Sequence, residues 1–334
     1  MLRMGRWQGA RGTMRKLLSH LGTLGIYGVA LLLLVVGRVV SADFLTAENM
    51  LTILNAIALL GIVASGMAFV TYSGHMADLS LPSIMAFSGI VTVATLSWGL
   101  PMSLLCGILA GLSVGALNGF VIGRFRANPI LWTLAVAFFM EGFMRFTWSN
   151  NQVYPDISPG SAGEAFIGIF RTDLGPLPLI VVTMLVMLGL GQLIMMYSRF
   201  GRETRYVGSS RAAAETSGIH VPRVVMLNFL VAAFAASVAG VFITSMNKLG
   251  VFYLGQGYDF QAVTAVVIGG VLLSGGRGNM LGVLGGVLVI GLLTNIMTFM
   301  GITSFRQNIV TGVVFIVVVG LQQYRLRAGG RSSE

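Results

Sequence analysis

The sequence predicts an all-α polytopic membrane protein of about ten transmembrane helices, some of them short or broken. Of its 334 residues, 55% are hydrophobic and 10% are charged, and the mean hydropathy is +0.86. A soluble domain carries about 25% charged residues because its surface must face water. The polar side chains here are too few to cover a globule of this size, so the remaining surface must face membrane lipid.

Apolar segments alternate with short polar breaks, and their lengths define the predicted spans. The first run, from Leu17 to Val36, exceeds the apolar core of a signal peptide (about 7–15 residues) and is long enough to cross a bilayer. Two spans are short and flank helix breaks, so they could be half-helices lining a path. The ten predicted spans are 17–37, 51–72, 82–99, 101–123, 129–148, 177–197, 223–246, 260–274, 279–300 and 305–322, and the two short ones are 82–99 and 260–274.

The distribution of basic residues predicts the orientation. With ten spans and the N-terminus inside, 16 of the 21 Lys and Arg residues fall on the inner side. Such a bias marks the cytoplasmic face, so both termini are expected in the cytoplasm of a bacterium, with the spans in its inner membrane. It also explains the net charge of +10 without nucleic-acid binding.

The chain divides into a basic cytoplasmic segment at 1–16, a single transmembrane domain at 17–322 and a cytoplasmic tail at 323–334. Two connections are long, an outer loop at 149–176 and an inner loop at 198–222. The sequence contains no phosphate-binding GxxxxGK[ST] motif. An ATPase that drives this protein would therefore be a separate chain, and no cofactor, metal site or catalytic residue is predicted.

Glycines at four-residue spacing line one face of the fourth span, at Gly107, Gly111, Gly115 and Gly119. Overlapping GxxxG patterns are typical of a face where membrane helices pack closely. Glycine scattered by composition, with 45 in the chain, is the alternative.

Two helix breaks share a Ser-Gly pair, Ser73-Gly74 and Ser274-Gly275. The parallel suggests a possible internal repeat, as transporters often show, with two tight turns as the alternative. Within a membrane, non-helical backbone is tolerated only in protein or beside a water-filled cavity. Asp78 in the first break could face such a cavity or could cap the helix that follows.

Other polar residues could line a translocation path or bond neighbouring helices, and the sequence does not choose between these roles. Glu141 and Arg145 are four apart and predict a pair on one helix face. The candidate path residues are Asn55, Ser73, Asp78, Ser80, Asn118, Thr264, Ser274 and Asn295.

The inner loop predicts a two-turn helix lying under the membrane. Ser209 or Ser210 can cap it, the run Ala212 to Glu215 follows, and Gly218 fits the position that ends it. A short surface helix of this kind is suited to docking into a partner, with an ordinary amphipathic loop as the alternative.

Two motifs resemble those of ABC importer permeases of the ribose/xylose/galactose type, which are similar to branched-chain amino acid permeases. Segment 205–219 (RYVGSSRAAAETSGI) is similar to the family's coupling-helix loop, and segment 259–285 is similar to its most recognisable stretch. The layout matches from about residue 45 to 323. The first break departs from the family's Ser-Gly-Gly-Ile-Asp-Leu-Ser-Val-Gly, because Asp78, Leu79 and Ser80 are kept but one residue is inserted and two glycines are lost.

The resemblance implies a permease that forms a dimer with an identical or related subunit. It would sit between a periplasmic sugar-binding protein and cytoplasmic ABC ATPase domains, and move a monosaccharide or similar solute by alternating access. The residues it implies at the ATPase contact are Arg211, Ala213, Ala214, Glu215 and Gly218. A secondary transporter driven by protons or sodium is the alternative, but such proteins need buried titratable relays, and only Asp78 and Glu141 qualify.

Overall fold

The computed structural model describes residues 24–330, and most of them are helical. The predicted basic segment at 1–16, the start of the first span and the last residues of the tail lie outside the described residues. The helices are α1 Leu24–Val40, α2 Ala47–Tyr72, α3 Leu81–Ala94, α4 Leu100–Phe125, α5 Pro129–Thr147, α6 Ala162–Arg171, α7 Leu179–Tyr197, α8 Arg199–Ser209, α9 Arg211–Thr216, α10 Val221–Asn247, α11 Tyr258–Ile268, α12 Met280–Phe299 and α13 Ser304–Gly330.

The all-α membrane fold is confirmed, but the number of about ten spans is not. Among the described residues, seven helices are long and apolar enough to cross a membrane: α2, α4, α5, α7, α10, α12 and α13. Three predicted spans are not among the seven. The spans 82–99 and 260–274 are shorter helices, α3 with 14 residues and α11 with 11, and the span 17–37 is described only from Leu24, as α1. At 1.5 Å per residue, α11 covers about half of a hydrocarbon core of about 30 Å.

Helix α10 lies at the centre of the bundle, and α2, α3 and α4 pack around it. Its side chains at the contact are small, which lets the neighbouring backbones come close. Fully buried alanines dominate this surface, at positions 232, 233, 235, 236 and 239.

The contacts of α4 define the depth at which α3 begins. A Cβ built on Gly123 would lie 2.8 Å from the carbonyl oxygen of Pro222, at the start of α10. We call this the inner end of the bundle and the opposite one the outer end. Gly111, near the midpoint of the 26-residue α4, faces Ile84 in the first turn of α3. Helix α3 therefore starts near the middle of the membrane and covers its outer half.

The two long loops contain more structure than the sequence predicts. The outer loop holds α6 and a two-stranded hairpin of β1 Asp173–Leu174 and β2 Leu177–Pro178. The inner loop holds two helices, α8 and α9, where the sequence predicts one. The N-cap of the additional helix α8 is Ser198, whose side chain accepts a hydrogen bond from the N–H of Gly201.

Candidate functional site

Helix α9 is the exposed helix of the inner loop, and short-range hydrogen bonds fix both of its ends. The hydroxyl of Ser210 accepts from the N–H of Ala213 at 3.3 Å. At the other end the N–H of Ile219 donates to the carbonyl of Ala214, while Gly218 adopts a φ of +79°. Gly218 favours this left-handed conformation because it has no Cβ.

Glu215 ties α9 to the inner end of α4. Its carboxylate accepts from Arg126 at 3.1 Å and from Arg211 at 3.0 Å. Arg211 also donates to the carbonyl of Gly123 at 3.4 Å. These charged groups fix the position of α9 under the bundle, although exposed ion pairs contribute little stability.

The predicted contact residues divide between the two faces of α9. Ala214 is buried against the bundle, and Arg211 is half-buried. Ala213 and Glu215 are exposed, and so are Ala212 and Thr216. The outward surface of α9 therefore consists mainly of small side chains, which leaves room for a close-fitting partner.

The two Ser-Gly breaks meet at α8, a contact that the sequence analysis missed. The N–H of Gly276 donates to the carbonyl of Tyr72 at 2.9 Å. A Cβ on Gly275 would lie 2.7 Å from the Cα of Gly74 and 2.8 Å from the carbonyl oxygen of Gly208 in α8. The three glycines at 74, 208 and 275 therefore bring three backbones together at the inner end.

Asp78 lies in a network at the start of α3 in which Ser80 and Asn118 are also fully buried and Trp132 is half-buried. Its Oδ1 accepts from both the N–H (2.9 Å) and the hydroxyl (2.6 Å) of Ser80. The amide of Asn118 donates to the hydroxyl of Ser80 at 2.8 Å and accepts from the indole of Trp132 at 3.1 Å. Ser80, not Asp78, occupies the N-cap of α3, and the Oδ2 of Asp78 has no partner among the described residues.

The four glycines of α4 all face neighbouring helices. A Cβ on Gly107 would meet the carbonyl oxygen of Ser88 at 2.7 Å, and one on Gly119 would meet the Cα of Met226 at 2.6 Å. A Cβ on Gly111 would collide with Ser237, and one on Gly115 would lie 3.0 Å from the carbonyl oxygen of Phe229. Close backbone approach favours glycine at positions 107, 115 and 119, whereas at Gly111 the neighbours are side chains of Ser237 and Ile84.

Asn55 lines a cavity of about 310 Å³ at the outer end, between α2, α7 and α10. Its Oδ1 is buried and has no hydrogen-bond partner among the described residues. The other lining residues are mainly apolar and include Phe170, Phe242 and Tyr258.

The remaining candidate path residues lie apart. Ser73 is buried and donates to the carbonyl of Val70, and Thr264 donates to that of Phe260. Asn295 bonds Asn49 across α12 and α2 at 3.2 Å, whereas Ser274 is exposed. Asp78, Ser80 and Asn118 are thus the only three of the eight that the described structure joins through their side chains.

The outer loop holds an exposed acidic side chain, Asp156, beside Ser158. Hydrogen bonds from the hydroxyl and N–H of Ser158 lower the pKa of the exposed Asp156 carboxyl. Among residues 24–330, no group of three His, Cys, Asp or Glu side chains could hold a metal ion.

Comparisons with known proteins match nearly the whole chain. The family described as "Branched-chain amino acid transport system / permease component" matches residues 49–319. Ribose import permease protein RbsC of Bacillus subtilis is 31% identical over 317 residues, which cover 93% of this chain and 94% of that protein. L-arabinose ABC transporter permease protein AraH of Azospirillum brasilense is 31% identical over 324 residues, with 95% and 91% covered. L-arabinose transport system permease protein AraH of Escherichia coli is 30% identical over 293 residues, 86% of each chain. No solved structure gives a significant match.

Proposed function

The chain belongs to the branched-chain amino acid transport system / permease component family, and from this premise we propose that it is the membrane permease subunit of an ATP-driven importer. Its cargo is a monosaccharide or a similar small polar solute, which it moves into the cytoplasm. The observation that carries this proposal is α9, a helix fixed under the bundle by Glu215 and Arg126, with a small-residue surface facing outward.

A separate ABC ATPase docks on the outward surface of α9. The sequence lacks a phosphate-binding motif, so ATP binding requires another chain. Movement of the inner loop reaches the bundle through Gly208 of α8, which touches both helix breaks. A movement of α8 at this contact shifts α3 and α12 together. This coupled movement is the means by which the path opens to alternate sides of the membrane.

The relatives and the scarcity of charge support a neutral cargo. The relatives described above are named as ribose or arabinose permeases. A charged residue within a membrane span is costly, and the described spans contain very few. The polar groups of a monosaccharide such as ribose are uncharged hydroxyls and a ring oxygen, which backbone and amide groups can bind without a charge.

The importer needs three further components. A second permease, identical or related, completes the membrane path, and a periplasmic binding protein delivers the solute to its outer end. The ATPase lies in the cytoplasm. The subunit spans the bacterial inner membrane with both termini on the cytoplasmic side, in agreement with the bias of basic residues.

An ion-coupled secondary transporter is the competing function. Its support is the buried Asp78, whose Oδ2 has no partner among the described residues. Uptake into vesicles that contain the permease alone distinguishes the two functions. Labelled ribose or arabinose is supplied outside, and a proton or sodium gradient is imposed across the membrane. The importer predicts no accumulation without the ATPase and ATP, whereas gradient-driven accumulation would contradict it.

A further inference from the structure

The segment 248–257 connects α10 to α11 and runs along α3 without forming a helix. A Cβ on Gly250 would lie 3.1 Å from the Cα of Ile90, and one on Gly255 would lie 2.7 Å from the Cα of Pro82. Pro82 is at the start of α3, near the middle of the membrane. The segment therefore descends from the outer end to the centre of the bilayer as irregular backbone.

Part of this backbone is open and lacks protein partners. Among the described residues, the N–H groups of Phe252 and Tyr253 take part in no hydrogen bond. The Tyr253 residue is 44% exposed, and Gln256 is exposed as well. Irregular backbone facing lipid leaves N–H groups unsatisfied at a cost of several kcal/mol each, so it is found only inside protein or beside water.

An ion pair on α5 lies on the same face. The guanidinium of Arg145 is 3.9 Å from the ring centroid of Phe252 and bonds Glu141 at 2.7 Å. The two side chains are 46% and 32% exposed. Arg145 lies in the last turn of α5 and also donates to Asn150 of the outer loop, so the pair lies toward the outer end. The ion pair therefore marks a hydrated outer mouth of this surface, and the open backbone indicates that water continues from it toward the centre of the bilayer.

We propose that segment 248–257, together with Glu141 and Arg145, forms an outer vestibule, a water-filled wall of the translocation path that binds a neutral polyhydroxylated solute. This inference rests on the proposed permease function and names the surface that receives the cargo. It differs from the predicted path residues, since it contains none of them.

The groups on the vestibule match the chemistry of a sugar. Its hydroxyl oxygens accept from the N–H groups of Phe252 and Tyr253, and its hydroxyls donate to Glu141 and Gln256. The Tyr253 ring offers a flat apolar surface to the C–H face of the sugar. The hydroxyl of Tyr253 accepts from the amide of Gln152 at 3.4 Å, and Gln152 accepts in turn from the hydroxyl of Tyr154. These bonds hold the ring in position.

Cysteine labelling tests whether the vestibule contains water. The native thiol is first removed by Cys106→Ser, and Tyr253→Cys or Gln256→Cys is introduced into the full transporter in membranes. The matched control is Leu109→Cys on α4, which is 54% exposed at a similar depth on an apolar helix face. A charged, membrane-impermeant maleimide added outside should label the vestibule cysteines at least about tenfold faster than Cys at position 109, because charged reagents do not enter lipid.

Equal labelling rates at the three positions would overturn the proposal, because they would mean that lipid or a second subunit covers this face. The rates do not depend on transport, so the vestibule is tested even where the importer function fails.

Uptake kinetics test the binding of the solute. With labelled D-ribose and L-arabinose as probes, Tyr253→Ala should raise the KM of import by about tenfold. A tenfold change corresponds to about 1.4 kcal/mol, the size of one lost aromatic contact. The maximal rate should change less. Tyr253→Phe keeps the ring but loses its hydrogen bond to Gln152, so it should recover most of the KM. An unchanged KM in Tyr253→Ala would overturn the sugar-binding role. Import driven by an ion gradient alone would contradict the importer and leave the labelling result standing.

Discussion

The N–H of Gly276 donates a hydrogen bond of 2.9 Å to the carbonyl of Tyr72. This bond joins the two helix breaks at the inner end, and Gly208 of α8 lies against the same pair. The loop that carries α9 is thereby connected to both interrupted segments of the bundle through close backbone contacts.

The contact at Gly208 predicts an unusual response to alanine. In an open helix position, Gly→Ala stabilises by about 1 kcal/mol. At Gly208, the new Cβ would collide with the carbonyl oxygen of Tyr72 and lie 2.6 Å from the nitrogen of Gly276. We expect Gly208→Ala to destabilise the protein by about 1–3 kcal/mol in thermal unfolding of the purified protein.

Gly189→Ala on α7 is the matched control, because a Cβ there would have no atom within 4 Å. The stability of the Gly189→Ala variant should be equal to or higher than that of the unaltered protein. Equal stability of the Gly208 and Gly189 variants would show that the three backbones are not closely packed.

The outward surface of α9 predicts a selective loss of assembly. Ala213 is exposed, so Ala213→Trp should change the stability of the isolated subunit by no more than about 0.5 kcal/mol. The bulky side chain should still prevent co-purification with the ATPase, whereas Ala213→Ser should retain it. If the ATPase co-purifies normally with the Ala213→Trp variant, α9 is not part of the docking surface.

The pair of Glu215 with Arg126 predicts a charge-swap rescue. Glu215→Arg places a third positive side chain beside Arg126 and Arg211 and should displace α9, with loss of ATPase co-purification. Adding Arg126→Glu should restore part of it. The exposed pair contributes less than about 1 kcal/mol to stability, so the unfolding temperature should barely change, and the absence of any rescue would count against this anchoring.

The sequence predicted the fold class and α9 because both depend on local patterns. Long apolar runs identify spans, and the Ser210 cap and Gly218 lie within nine residues of each other. The sequence showed that the spans 82–99 and 260–274 are short and could be half-helices. It did not give the ends of α3 and α11, because an apolar run has the same composition in a full crossing and in a half-helix. The contact of Gly208 with Gly74 and the path of segment 248–257 depend on tertiary packing, which no local pattern encodes.

The buried network around Asn118 predicts a large loss of stability. Asn118→Leu would leave the indole N–H of Trp132 without a partner, at about 1–3 kcal/mol for a buried polar group. It would also remove one of the two side-chain hydrogen bonds of the Ser80 hydroxyl, which still donates to Asp78. Thermal unfolding should show this loss. A neutral result would mean that water replaces the amide and that the region around Asp78 is open to solvent.

Asn55 predicts the opposite effect on stability. Its Oδ1 is already unpartnered among the described residues, so Asn55→Leu should leave the unfolding temperature unchanged or raise it. Sugar uptake should fall in the same variant, because the outer cavity would lose its amide. Asn295→Leu, which breaks the bond to Asn49, is the control and should destabilise. Unchanged sugar uptake in Asn55→Leu would show that the outer cavity is not part of the translocation path.

The most direct test of the central claim is uptake of labelled ribose and arabinose into proteoliposomes that contain the permease with its ATPase and binding protein. The account predicts accumulation of one of these sugars that requires ATP and all three components, and that is abolished by Ala213→Trp. Accumulation that proceeds with the permease alone under a proton or sodium gradient would contradict it.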